Sequence, residues 1–226
     1  SIVKLGVSVL VLPRHNAVHL AKLMADIDCL SGGRLILGVG LGNSADELPI
    51  YGVNSERRLS RFIEQVNVIK SLWTESEVNF KGQFHDLSGV MVNPKPLQEP
   101  HPPIWFGANA DKAIKRAVTM ADGWMGAGSS ALDDFPRKLK LLKETLEKED
   151  RNPSTFPISK RLYLAIDDNE SRALSRLREW FGYYYGNADN AEKAAIWGSE
   201  NKIKEFLHEW SELGTNEFLL NPVFDL

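Results

Sequence analysis

The sequence predicts an α/β fold, a (β/α)8 TIM barrel represented by six of its strands and lacking its first two βα units. Three observations predict it. Apolar, β-branched runs of strand length alternate with amphipathic helical stretches along 226 residues. The strand-like runs are apolar at successive positions, as in parallel strands buried on both faces. No linker rich in Gly, Ser or Pro divides the chain, so residues 1–226 read as a single barrel domain.

Lys4 to Leu12 (KLGVSVLVL) is the first strand, and Pro13 ends it. Asn16 can cap the next helix, because its side-chain oxygen accepts an otherwise unpaired N–H. From Ala17 to Leu30, Val18, Ala21, Met24, Ala25 and Ile27 recur at helical spacing. Gly32 and Gly33 stop that helix, and Arg34 to Val39 is a second buried strand. Strand, helix and strand within so short a span make a βαβ unit. Glu56 to Trp73 is a long helix carrying Leu59, Phe62, Ile63, Val66, Ile69 and Leu72. A small hairpin is expected at residues 78–92, turning near Lys81 and Gly82, followed by an extended proline-rich stretch from Pro94 to Pro103.

Further strands are expected at Ile104–Phe106, Trp124–Met125, Ile158–Ile166 and Phe218–Leu220. Helices are expected at Asp111–Ala121, around Leu139–Leu146, at Ser171–Tyr185 and at Lys202–Leu213. Alternation of this kind suits a doubly wound sheet or a TIM barrel. A complete barrel has eight strands and about 250 residues, so these six are expected to be strands 3–8. The chain also opens almost inside a strand with no initiator Met, and the missing βα units are expected to precede it.

The composition, 43% hydrophobic and 25% charged, is that of an ordinary globular chain. A net charge of −3 gives no reason to expect a nucleic-acid partner. With Cys29 as the single cysteine, no intrachain disulfide can form, and a reducing, cytoplasmic setting is expected. The longest apolar run, Val7 to Leu12, is far short of the roughly 20 residues that cross a bilayer, so no membrane role is expected. There is no HExxH, CxxC, Walker A or GxSxG motif, so neither a metal site nor a hydrolytic triad is expected.

In α/β barrels, function sits in the loops that follow the strands. After the first strand come Arg14 and His15, either facing a cofactor or substrate or forming a helix-capping turn. After the second come Gly40 and Gly42, in GVGLGN, where backbone can closely approach a flat ligand or simply make a tight strand exit. Residues 43–58 read as an insertion on the same side, a lid or binding loop, and Arg58 and Arg61 just beyond could reach a phosphate or be solvated. After the third strand come Gly107, Ala108 and Asn109, and after the fourth Gly126, Ala127, Gly128, Ser129 and Ser130. Both sets offer small residues and backbone N–H groups before a helix, a recipe for binding phosphate and also for ordinary capping. Trp105 and Trp124 could line the cavity, whereas His19, His85, His101 and His208 read as structural or solvated.

Three stretches resemble the bacterial-luciferase-like family of flavin- or F420-dependent monooxygenases. They are LGVSVLVLPRHNAVHLAKLMADIDCLSGGRLILGVGLG, ERRLSRFIEQVNVIKSLWTE, and NPKPLQEPHPPIWFGANADKAIKRAVTMADGWMG with its PPIW-x-G and DGW signatures. The resemblance implies FMN or coenzyme F420 at the C-terminal mouth of a barrel. It implies contacts from Gly40, Gly42, Gly107, Ala108, Asn109 and Gly126 to Ser130, with Arg58 near a phosphate. PRHN replaces the family's more frequent RHP, which weakens the case for His15 as a catalytic residue. The family's first two strands usually carry a catalytic histidine or acidic residue, and nothing here matches them.

The first expectation is an oxidoreductase, a luciferase-like monooxygenase acting on a small organic substrate, with a separate flavin reductase as a partner and a homodimer or higher homo-oligomer as its assembly. The second is a non-catalytic flavin-binding protein with a shortened barrel. The third is an unrelated phosphate-binding barrel enzyme. It would want a lysine or an acidic base at a strand end, and Lys160 lies within a strand.

Overall fold

The computed structural model describes residues 2–42 and 46–223. They fall into two compact units, Ser1–Gly107 and Ala108–Leu226.

The first unit is built around a strand that is buried at every position. The expected first strand is broken into two short pieces, β1 (Leu5–Gly6) and β2 (Leu10–Val11), with a cis peptide between Ser8 and Val9 in the gap. A single 3-10 turn, Leu12–Arg14, follows, and α1 (Ala17–Ser31) starts after it. The Asn16 side chain accepts from the His19 N–H at 3.0 Å, the cap its position predicts. Gly32 ends α1 in the left-handed region at φ 69°, which glycine reaches without strain. β3 (Leu35–Gly40) then pairs in parallel with both pieces, Leu5 opposite Leu35 and Leu10 opposite Val39.

A long helix, α2 (Arg58–Thr74), packs on α1, and the Trp73 indole donates to the Ala21 carbonyl at 2.9 Å. The hairpin is β4 (Val78–Lys81) and β5 (Asp86–Val90), joined across residues 82–85. The Glu64 carboxylate of α2 accepts the Gln83, Phe84 and His85 backbone N–H groups at 2.7, 2.8 and 2.7 Å, which pins the turn. β6 (Ile104–Gly107) pairs in parallel along the other side of β3, Leu37 opposite Ile104. Phe106 meets Phe62 of α2 edge-on, with centroids 4.9 Å apart. Each large apolar side chain enclosed here, such as Leu37, Val66 or Ile69, contributes about 1.5–3 kcal/mol.

The second unit opens with α3 (Asp111–Met120) and β7 (Gly123–Gly126), continues into α4 (Phe135–Lys148), and centres on β8 (Ile158–Ile166). After β8 come α5 (Glu170–Tyr185), the single turn α6 (Ala191–Ala194), β9 (Ala195–Gly198), α7 (Glu200–Glu212) and β10 (Glu217–Pro222). All strand pairings within the unit are parallel. β10 lies along β8 from Ser159 to Leu164, β7 pairs with its first half and β9 with its second.

β8 is buried along most of its length, although Ser159, Lys160 and Arg161 interrupt its apolar residues. On one face Phe135 of α4 is stacked between Trp124 and Trp210, with centroids 5.3 and 4.7 Å apart. On the other, Tyr163 and Ala165 pack with Leu177 and Phe181 of α5. No helix among the described residues is long and apolar enough to cross a membrane.

The α/β fold of the barrel class is the one observed, and the six expected strands are present. Two details differ. β9 escapes sequence reading because AIWG is only four residues long and follows a helical turn. The first strand is interrupted where apolar residues alone suggested continuity.

Candidate active site

The predicted site residues divide between the two units. In the first, His15 closes the 3-10 turn after β2, where Pro13 favours the turn and Asn16 begins α1. The His15 carbonyl accepts from the Gln65 side chain of α2 at 2.6 Å, and Gln65 is fully buried. Burial, and then the Arg14 guanidinium beside it, hold the His15 imidazole below its ordinary pKa, so it is neutral at pH 7. Arg14 pairs with Glu47 and lies 5.5 Å from the centre of the Tyr51 ring, tying the segment after β3 to this turn.

Gly40 and Gly107 make way for protein. A Cβ on either would come within 2.9 Å of a Val9 methyl. Gly42, at φ 82°, would bring a Cβ within 2.8 Å of Val11. These glycines leave room for Val9 and Val11, which pack against the ends of β3 and β6. Of the predicted 43–58 insertion, Asn43, Ser44 and Ala45 lie outside the described residues. The remainder forms two 3-10 turns, Leu48–Tyr51 and Ser55–Arg57, leading into α2. Arg58, half-buried in the first turn of α2, keeps one terminal guanidinium nitrogen enclosed and without a hydrogen-bond partner among the described residues. The Trp105 indole nitrogen of β6 is in the same condition.

In the second unit, Ala108 is locked to β7. Its N–H donates to the Met125 carbonyl at 3.2 Å, and its carbonyl accepts from the Trp124 indole at 2.9 Å. Trp124 is therefore a core residue and lines no cavity. The Asn109 side-chain oxygen accepts from Lys138 of α4. The turn Gly126–Ser130 is folded on itself, with the Ser130 hydroxyl donating to the Ala127 carbonyl at 2.7 Å. The Ser129 carbonyl accepts from Asn190 at 3.2 Å, and a Cβ on Gly128 would fall 2.9 Å from the Tyr163 ring. The turn does not run straight into a helix, since α4 begins at Phe135, after Asp133 and Asp134.

Two lysines stand behind these turns, Lys160, which the sequence places within a strand, and Lys138, which no motif singles out. Lys160, in β8, is fully enclosed, and its amine reaches the Ala127 carbonyl and, at 3.1 Å, the Ser130 hydroxyl. Burial, reinforced by Lys138, pulls its pKa down to about 7. Lys138, 5% exposed, bridges Asn109 and the Asp134 carboxylate, the latter at 2.6 Å. In the charged run FPRKLKLLKE, Lys138 shares the helical face of Phe135, Leu139 and Leu142, the one signal in the sequence that sets it apart from its exposed neighbours. Among the described residues, no group of three or more His, Cys, Asp or Glu side chains could hold a metal ion.

Residues 1–217 match the family of luciferase-like monooxygenases. The chain is 32% identical over 183 residues to an F420-dependent glucose-6-phosphate dehydrogenase of Kineococcus radiotolerans, covering 79% of this chain and 53% of that protein. It is 29% identical to the protein of the same name from Amycolatopsis mediterranei, covering 79% and 54%. The chain thus spans about half the length of the curated relatives it matches.

Among solved structures, an F420-dependent secondary alcohol dehydrogenase in complex with an F420-acetone adduct superposes with a TM-score of 0.84 at 20% identity, covering 97% of this chain and 73% of that one. The FMN complex of the oxygenating constituent of 3,6-diketocamphane monooxygenase from Pseudomonas putida gives 0.74 at 13% identity, covering 97% and 73%.

Proposed function

The chain belongs to the luciferase-like monooxygenase family, and on that premise we propose that it works as an oxidoreductase on a small organic molecule with coenzyme F420. The observation that carries this reading is the 32% identity, over 79% of the chain, to an F420-dependent dehydrogenase. When bound, coenzyme F420 supplies a hydride acceptor, while the protein supplies binding, orientation and a place for the proton.

In the first unit, the apolar surface of Val9 and Val11, backed by Gly40, Gly42 and Gly107, suits a flat ring. The spare Arg58 N–H suits an anionic oxygen. The neutral His15 imidazole is suited to accept, at a ring nitrogen, the proton that an alcohol substrate must lose. In the second unit, Ala108, Asn109 and Gly126 to Ser130 offer backbone and side-chain donors, with buried lysines behind them to suit the charge of a phosphate-bearing cofactor.

A second reading, an FMN-dependent monooxygenase supplied by a separate flavin reductase, is favoured by the likeness in fold to an oxygenase crystallised with FMN. Equilibrium binding separates the two. Coenzyme F420 is expected to bind more tightly than FMN, tighter FMN binding favours the monooxygenase, and binding of neither rejects both. The expected homodimer or higher homo-oligomer is checked by light scattering on the same sample. His15→Ala is expected to lower kcat by about 10²-fold and to remove the acid limb of the pH profile. An unchanged profile would rule out His15 as the base.

A further inference from the structure

Trp105 stands in β6 between Ile104 and Phe106, and successive side chains of a strand point to opposite faces. Phe106 meets Phe62 of α2, so Trp105 lies on the other face of the sheet. Parallel pairing sets Gly38 of β3 opposite it. Two residues further along each strand, about 6.6 Å, come Gly40 and Gly107, whose missing Cβ atoms leave room for Val9. The Trp105 ring therefore lies among glycines, one step along the strands from the valine surface.

Trp105 is 3% exposed, and its indole N–H is enclosed without a hydrogen-bond partner among the described residues. A buried donor left without an acceptor is destabilising, and native chains keep few of them. The other two buried tryptophans of the strands and α2 behave differently. Trp124 donates to the Ala108 carbonyl at 2.9 Å and Trp73 to the Ala21 carbonyl at 2.9 Å. The indole nitrogen donates and does not accept, so whatever completes it must bring an acceptor atom. Val9, Val11 and the glycines offer no charge to balance an anion. A neutral carbonyl or hydroxyl oxygen fits such a surface, where a carboxylate would be buried unpaired.

We propose that the Trp105 indole N–H is a ligand-positioning donor, holding the carbonyl or hydroxyl oxygen of a neutral group bound on the glycine-lined face of β3 and β6. The proposal rests on the reading of that face as the seat of a flat ring. It adds the residue that orients what binds there and the class of atom held. Two sources offer such an oxygen, a ring carbonyl of the coenzyme and the alcohol or ketone substrate. In either case a hydrocarbon of the same shape is rejected, because it leaves the donor unpaired.

The test follows the indole N–H resonances of the full chain by NMR, with Trp105 identified as the signal missing from Trp105→Phe. That variant keeps an aromatic ring and removes the donor. Coenzyme F420, cyclohexanone and methylenecyclohexane, a hydrocarbon shaped like the ketone, are added singly and together. Coenzyme F420 or cyclohexanone is expected to move the Trp105 resonance downfield, and methylenecyclohexane is not. Movement with the coenzyme alone assigns the oxygen to the cofactor, and movement only with cyclohexanone assigns it to the substrate. Trp105→Phe is expected to weaken binding of the ligand that moves the resonance about fivefold, with methylenecyclohexane unaffected. Should Trp105→Phe fail to fold, the wild-type resonance, assigned through its own backbone, decides. A resonance that no addition moves, one that ketone and hydrocarbon move alike, or an unchanged affinity in Trp105→Phe overturns the proposal. Failure of coenzyme F420 to bind while cyclohexanone still moves the resonance would reject the proposed function and leave the donor standing.

Discussion

Single buried charges organise both units, and the sign of each decides what its loss would do. Asp28 of α1 is fully enclosed. Its carboxylate accepts the Leu97 and Gln98 N–H groups at 2.8 and 3.0 Å and the Gln98 side chain at 2.7 Å. Asp28→Ala would strand those donors in the interior, and a loss of about 3 kcal/mol is expected in urea unfolding. Asp28→Asn should lose less. Lys160 is the opposite case, because its neighbours do not compensate its charge. Its folded pKa of about 7 lies below the unfolded value of 10.5, so the unfolded chain binds more protons between these two limits. Stability contributed at this position rises with pH across that window. Lys160→Met is expected to raise Tm by a few degrees at pH 7 and below, with the gain fading towards pH 10. A gain independent of pH would show that the charge is not what costs stability.

Among the elements, the hairpin β4–β5 depends on one carboxylate of a neighbouring helix. Burial alone would raise the Glu64 pKa, but hydrogen bonds from the His85 ring and from the backbone of Gln83, Phe84 and His85 outweigh it and hold the group below its ordinary value. Such a carboxylate stabilises the fold above its unfolded pKa, and the contribution is lost as pH falls through the lower, folded value. Glu64→Gln is expected to increase amide exchange at Gln83 to His85 at pH 7 and to flatten the acid limb of the stability curve. Unchanged exchange at those amides would show that the turn holds without it.

The elements also show how far the sequence can be read. Periodicity places α1, α2, β3 and β8, because long apolar patterns have few alternatives. The Asn16 cap and the Gly32 stop follow from local chemistry. β9 does not, since four residues carry no period and its pairing is decided by β8. Within the candidate site, the small residues of the strand exits are visible in sequence. That Gly40 and Gly107 serve Val9 depends on contacts between residues far apart in the chain.

For the whole molecule, the fold and the family agree. Parallel strands alternate with helices in both units, residues 1–217 match the luciferase-like family, and solved F420 and FMN enzymes share the fold over 97% of the chain. On the proposed function, this scaffold holds a deazaflavin. The most direct test is a titration of the full chain with coenzyme F420, followed by cofactor fluorescence, with FMN as competitor. Saturable binding of coenzyme F420 that FMN displaces only weakly is expected. Absence of any saturable change with either cofactor would contradict it.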